Sequence, residues 1–315
     1  MILILAGTND PTVDFVESKM KERDIDYRRI SLAEFFREAT ISMELDNNFN
    51  INLLFDDINI ETFDSIWLRT FELSKYKNID EWKESYVIDQ WRKLWIWFLD
   101  SLPKNKVVGG PNVSMMASNK ILQLSFAKEV GLNIPKTLIS SNKKDAINFL
   151  KKNSRSVAKT LSTLSNKKDG RLVETTYTNR VSLKNFERID SMSEAPVIFQ
   201  EEIEKDYELR VTFVGNQLFP CKIESQKSTR TKVDWRKYDF ENVPHSIVSL
   251  PVEISSKLIK IINRFKVRFG SFDMAVTPSG DYVFFEMNPN SQWVWLEEIT
   301  KLPITDAFID LLLAN

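Results

Sequence analysis

Two apolar strands bracketing a turn near the C terminus constrain this chain most. Ser271-Phe272-Asp273-Met274-Ala275-Val276 runs into Thr277-Pro278-Ser279-Gly280-Asp281 and returns as Tyr282-Val283-Phe284-Phe285-Glu286-Met287-Asn288. The central residues are turn formers and the flanks are strand formers, so the segment predicts a hairpin. A four-residue loop over 278–281 sets Asp273 opposite Glu286 and Ser271 opposite Asn288. The period of two then puts Glu286 and Asn288 on one face. Carboxylates directly opposite each other repel, and a hard divalent cation between them removes that repulsion. Mg²⁺ typically takes one or two carboxylates and completes its shell with water and substrate phosphates. Asp273, Glu286 and Asn288 are therefore the candidate metal ligands. The other face, Met274, Val276, Val283, Phe285 and Met287, reads as core.

A second hairpin joins Leu209–Val214 to Gln217–Ile223 through Gly215-Asn216. Its register sets Arg210 opposite Cys221 and turns Lys222 to the other face. Glu208 and Arg210 share a face, offering a carboxylate for ribose hydroxyls and a guanidinium for phosphate. Just upstream, Phe199-Gln200-Glu201-Glu202-Ile203 can present backbone groups to an adenine edge, with Glu201 and Ile203 as candidates. Lys120, on a helix, and Lys159, at the end of a short apolar run, are candidate phosphate ligands. Gly is scarce, 8 of 315 residues, and neither G-x-G-x-x-G nor G-x-x-x-x-G-K-[ST] occurs, so a nucleotide must be held another way. A single cysteine, Cys221, excludes an internal disulfide and a cysteine-cluster metal site. A single histidine, His245, excludes H-E-x-x-H chemistry and argues against histidine triads. Both read as packing or surface residues.

The first third alternates strand and helix: Ile2–Ala6, a helix over Thr12–Lys21, strands at Tyr27–Ile30 and Ser65–Arg69, and a long helix over Asp80–Ser101. Trp82, Tyr86, Trp91, Trp95 and Phe98 crowd one broad face of that last helix, which reads as core or as a dimer surface. Gly109-Gly110-Pro111 breaks the chain. A helix over Val113–Val130, a polar and flexible Thr160–Arg171, several hairpins and a helix over Glu253–Phe269 follow. The fold class is α/β followed by α+β, divided as 1–110, 111–195 and 196–315. Charge totals −1 but is uneven: residues 143–188 hold 12 basic and 4 acidic side chains, whereas residues 270–315 hold 1 and 7. A basic lobe facing an acidic one suits a polyphosphate held through metal ions. The near-neutral total argues against a nucleic-acid partner. No apolar run approaches membrane-spanning length and no signal peptide is visible, so the expected location is cytoplasmic with no membrane partner.

In this order, from Lys120 and Lys159 through Gln200-Glu201-Glu202-Ile203, Glu208-Leu209-Arg210 and Phe272-Asp273-Met274 to Glu286-Met287-Asn288-Pro289-Asn290, the chain resembles the ATP-grasp superfamily. Lys205-Asp206-Tyr207-Glu208-Leu209-Arg210-Val211, Ser225-Gln226 with Asp234-Trp235-Arg236, and Asn288-Pro289-Asn290-Ser291-Gln292-Trp293-Val294-Trp295 narrow the resemblance to the microviridin-type graspetide ligases. The resemblance implies an ATP-grasp fold behind an N-terminal pre-grasp α/β domain, with ATP and Mg²⁺ as cofactors. It also implies a ribosomally made precursor peptide as partner, its leader docking on the central region. Asp or Glu side chains of that peptide become acyl phosphates and are joined to Thr or Ser as esters, or to Lys as amides. On this resemblance Asp273, Glu286 and Asn288 hold Mg²⁺, Lys120 and Lys159 hold phosphates, and Glu201, Ile203 and Glu208 hold adenosine. Arg210 faces the transferring phosphoryl group, and Arg230 and Arg236 hold the substrate carboxylate. Leader docking on 171–188, through Arg180, Lys184 and Arg188, and a homodimer are further expectations. The alternative is a RimK-type ligase adding an amino acid such as glutamate to a protein or small molecule.

Overall fold

The computed structural model describes residues 1–31, 41–48, 51–55, 58–59, 62–69, 80–161, 165–168, 171–186 and 194–314. Near the N terminus, Tyr27–Ile30, Ile2–Leu5, Ser65–Leu68 and Val107–Val108 line up in that order as a parallel sheet. Ile2–Leu5 and Ser65–Leu68 are buried along their whole length, as expected of strands covered on both faces. The helix Pro11–Glu22 packs Val13, Val16 and Met20 into the core and is capped by Asp10, whose carboxylate accepts the N–H groups of Thr12 and Val13.

Two larger antiparallel sheets follow, beside a three-stranded antiparallel sheet of Ile41–Leu45, Ile51–Phe55 and Ile58–Asn59 and a two-stranded hairpin. Asn179–Val181, Ser156–Lys159, Val197–Glu201 and Thr137–Ser140 form one, with the helix Lys143–Lys152 and Phe186 packed on it. His245–Ile247, Gln217–Ile223, Tyr207–Val214, Phe269–Val276 and Tyr282–Asn288 form the other. Behind it, Leu258, Ile261, Ile262 and Phe265 of the helix Val252–Phe265 meet Leu209, Val211, Phe213, Phe272 and Phe284. Each such side chain contributes about 1.5–3 kcal/mol when fully buried.

Both hairpin registers follow the sequence pattern at the site. Arg210 faces Cys221, Asp273 faces Glu286, and Ser271 faces Asn288. Between Asp273 and Met274 the second hairpin shifts by one residue, so Met274 pairs with Phe284. That bulge corrects the expected core face: Phe284 is buried, and Phe285 turns to the cleft described below. A bulge re-aims one side chain without breaking the pairing beyond it.

Four further expectations change. The helix expected over Val113–Val130 is two, Pro111–Ala117 and Lys120–Glu129, because the Asn119 side chain accepts the N–H groups of Ile121 and Leu122 and starts a new helix. The helix expected over Glu253–Phe269 stops at Phe265, where Lys266 takes a left-handed conformation (φ +57°). The stretch read as a flexible loop contains a hairpin, Ser165–Lys168 with Arg171–Thr175, while 162–164 and 169–170 lie outside the described residues. The strand Val197–Glu201, which a boundary at 196 assigns to the C-terminal lobe, pairs instead with Ser156–Lys159 and Thr137–Ser140, and Gln200 donates to the Thr137 hydroxyl at 2.9 Å.

Gly270 is the second residue of the strand Phe269–Val276, which carries Asp273. A Cβ there would lie 2.7 Å from the Asn288 carbonyl oxygen and 2.7 Å from Phe213. Gly270→Ala is expected to lower stability by about 1–3 kcal/mol, the usual cost of overpacking a filled site. Chemical denaturation checks this, and an unchanged midpoint would contradict it.

Candidate active site

A cleft lies between the two larger antiparallel sheets. From the smaller sheet come Val157, Lys159, Gln200 and Glu201; from the larger come Glu208, Asp273, Phe285 and Glu286. Glu202 and Ile203 line it where the chain crosses between sheets, and Asp234, Trp235 and Arg236 close one side.

Glu286 sits at the charged end. Its carboxylate is 3.3 Å from Lys120 Nζ and 4.0 Å from the Arg236 guanidinium. Burial alone would push its pKa up, but Lys159, Lys120 and Arg236 together hold it at about 2. Lys159 shows the converse: burial lowers its pKa, with Lys120 and Arg236 adding to the effect and Glu286 opposing it. Lys120 is held there by its helix. Gln123, one turn on and 1% exposed, donates to the Met287 carbonyl (2.7 Å) and accepts the Met287 N–H (2.9 Å), locking that helix to the strand that carries Glu286.

Asp273 receives both guanidinium contacts of Arg210 Nη1 (2.8 and 2.7 Å) and the Asn288 amide at 2.8 Å. Burial raises its pKa, and the facing Glu286 adds to that against the pull of Arg210. Arg210 Nη2 donates to the Ser291 hydroxyl at 2.8 Å, and the guanidinium lies 5.5 Å from the Trp235 ring centroid. Arg236 is fixed by a two-point pair with Asp234 (2.8 and 2.6 Å), and Asp234 also accepts the Thr178 N–H, tying this segment to the smaller sheet.

Asp273, Glu286 and Asn288 supply two carboxylates and an amide oxygen beside three cationic side chains. Among the described residues no group of three or more His, Cys, Asp or Glu could hold a metal by itself. Hard oxygen donors in that small number fit Mg²⁺ shared with substrate phosphates.

Comparison with solved structures decides the fold. A Chryseobacterium gregarium ATP-grasp ligase associated with ribosomally synthesised and modified peptides, in complex with ADP and a leader and core peptide, superposes with a TM-score of 0.86. The two are 26% identical over 99% of this chain and 96% of that one. This chain has the ATP-grasp fold. Macrocyclase MdnB from Microcystis aeruginosa MRC matches at 0.80 with 28% identity, covering 99% of this chain and 98% of its own. MdnC from the same organism, bound with precursor peptide MdnA, matches at 0.84 with 23% identity, covering 100% and 99%. No family model matches the chain, and neither does any curated protein.

The fold brings together most of the residues singled out in the sequence. Lys159, Glu201, Ile203, Glu208, Arg236, Asp273 and Glu286 line one cleft, Lys120 reaches Glu286, and Asn288 reaches Asp273. Glu201 also anchors Lys136, accepting its N–H at 3.0 Å and lying 3.3 Å from its ammonium group. Glu208 pairs with Lys205 at 2.7 Å, and burial raises its pKa. Arg210 stands behind Asp273 rather than in the wall, so its nearest partner is a metal-ligand candidate. Arg230 is exposed and outside the cleft, because the turn after Ser228 directs it to solvent. Lys222 faces away, as its register requires, over the Tyr207 ring and beside Glu224. Cys221 is buried, and burial pushes its thiol up to about 12. His245 packs between Phe240 and Trp295, where burial lowers its pKa. Of the basic leader candidates, Arg180 forms a two-point pair with Glu202, Lys184 is exposed, and Arg188 lies outside the described residues.

Sequence reasoning gave no role to Gln123, Asp234, Ser291 or Arg69, although Asp234 and Ser291 stood within the quoted motifs. Gln123 and Ser291 act through backbone or hydroxyl contacts that residue type alone does not advertise, and Asp234 through its carboxylate pair with Arg236. Arg69 lies more than 200 residues from its C-terminal partners, with no spacing pattern to join them.

Proposed function

We propose that the chain is an ATP-dependent peptide ligase that turns Asp or Glu side chains of a ribosomal precursor into acyl phosphates. It then joins them to Thr or Ser hydroxyls, or Lys amines, with release of ADP and phosphate. The observation carrying this is the cluster of Asp273, Glu286 and Asn288 with Lys120, Lys159 and Arg236 at one end of the cleft. Phosphoryl transfer asks for positioning and charge neutralisation rather than a protein nucleophile, which suits a site with no Cys or His in its wall.

Lys120 and Lys159 would hold the phosphates, while Ile203 and the adjacent backbone would take the adenine edge, with Glu208 beneath the ribose. Asp273, Glu286 and Asn288 would hold Mg²⁺, which supplies charge neutralisation at the transferring group. Arg236 orients the attacking carboxylate from one side. Phe285 and Trp235 keep water from that end, protecting an acyl phosphate from hydrolysis.

A leader would dock on the basic segment 171–188, and the division of labour would follow 1–110, 111–201 and 207–315, with 202–206 as the crossing between lobes. Trp82, Tyr86 and Trp97 stand exposed on the helix Glu81–Ser101, whereas Trp95 and Phe98 of the same helix are buried; this supports a homodimer. Among the described residues no helix is long and apolar enough to cross a membrane, which fits a cytoplasmic enzyme. The reading predicts ADP release that rises with the precursor peptide encoded beside this gene and does not respond to free glutamate. Stimulation by glutamate alone would instead favour a RimK-type amino-acid ligase.

A further inference from the structure

Arg69 directly follows the strand Ser65–Leu68 of the N-terminal parallel sheet and is 4% exposed. Its Nε donates to Asp10 at 3.0 Å, the same carboxylate that caps the helix Pro11–Glu22. Its Nη1 donates to the Asn290 side-chain oxygen at 2.5 Å and to the Ser291 carbonyl at 3.2 Å, and Asn290 returns a bond to the Arg69 carbonyl at 2.6 Å. Asn290 lies two residues past Asn288. Ser291, 2% exposed, accepts from Arg210, which holds Asp273 through both carboxylate oxygens. One unbroken set of polar contacts thus runs from the N-terminal sheet to a candidate metal carboxylate.

A latch between these regions would not need charge. The junction beside it is already aromatic: Trp67 lies 6.1 Å from Trp293 and 4.8 Å from Phe308, and Phe269 lies 4.7 Å from Trp293. Burial lowers the pKa of Arg69 against the pull of Asp10, which reflects the cost of keeping a cation there. Buried ion pairs can often be replaced by apolar groups with no loss of stability, so the specific fork of contacts points to a role in geometry.

We propose that Arg69 is a positioning residue for the metal-binding end of the cleft, acting through Asn290 and Ser291 on Arg210, Asp273 and Asn288. The inference rests on the ATP-grasp reading of that cleft. It gives the N-terminal region a share in phosphoryl transfer, through a residue that does not line the cleft.

The test is calorimetric binding of ADP to the full chain, with and without MgCl₂, for wild type, Arg69→Met and Asn290→Ala. Wild type is expected to bind ADP more tightly when Mg²⁺ is present. Both variants should bind metal-free ADP as wild type does, while the gain from Mg²⁺ falls about tenfold, within the range for residues coupled in one network. Combining the two substitutions should cost little more than either alone, because each interrupts the same relay. A full Mg²⁺ gain in folded variants, with only the melting temperature lowered, overturns the inference and leaves a structural latch. Should Arg69→Met fail to fold, Asn290→Ala decides, since it removes one partner and keeps the Asp10 pair. Wild type that binds no ADP under either condition would overturn the ligase reading itself.

Discussion

Glu286→Gln is expected to keep the fold and to lower ADP formation by at least about 10²–10³-fold, the scale seen when one preorganised charge-stabilising group is removed. Lys120, Lys159 and Arg236 all act on Glu286 and hold it ionised well below neutral pH. The amide keeps the volume and removes the charge, leaving three cations facing one another and the metal site with Asp273 as its only carboxylate. Steady-state ADP release, together with a thermal melt, checks the claim. Near-wild-type turnover would show that Glu286 serves only to balance the lysines.

Arg210→Met should act first on stability. It strands Asp273, a buried carboxylate that Arg210 contacts at 2.7 and 2.8 Å. Removing one partner of a buried pair typically costs about 3–5 kcal/mol, which in a chain of this size lowers the melting temperature by on the order of 10 °C. Adding Asp273→Asn to Arg210→Met should recover much of that loss, since the unpaired charge is gone. It should not recover ADP formation, because the metal carboxylate is gone as well. If Arg210→Met alone melts like wild type, a metal ion rather than Arg210 is the principal partner of Asp273.

The hairpins and their registers were readable because alternation and turn residues are local signals. They were enough to place Asp273 against Glu286 and Arg210 against Cys221, but that the two hairpins pair and set Arg210 beside Asp273 emerges only from the structure. What escaped was set by contacts without period. The bulge after Asp273 exchanges the roles of Phe284 and Phe285, and nothing in Val-Phe-Phe-Glu distinguishes the two rings. The helix break at Asn119 depends on one capping side chain inside an otherwise continuous apolar pattern. Val197–Glu201 had an ambiguous home, because a strand beside a boundary can pair with either sheet. Arg230 and Arg236 looked alike in a basic segment, but only Arg236 has Asp234 to turn it inward. The Arg69 relay was invisible for a stronger reason: its two ends meet only when the whole chain is folded.

The most direct test of the central claim is the mass of the precursor peptide after incubation with this protein, ATP and Mg²⁺. The account predicts the loss of one water per bond formed, matched by ADP release and absent with Glu286→Gln. Unchanged peptide mass alongside steady ADP release, or a gain of one amino-acid residue, would contradict it.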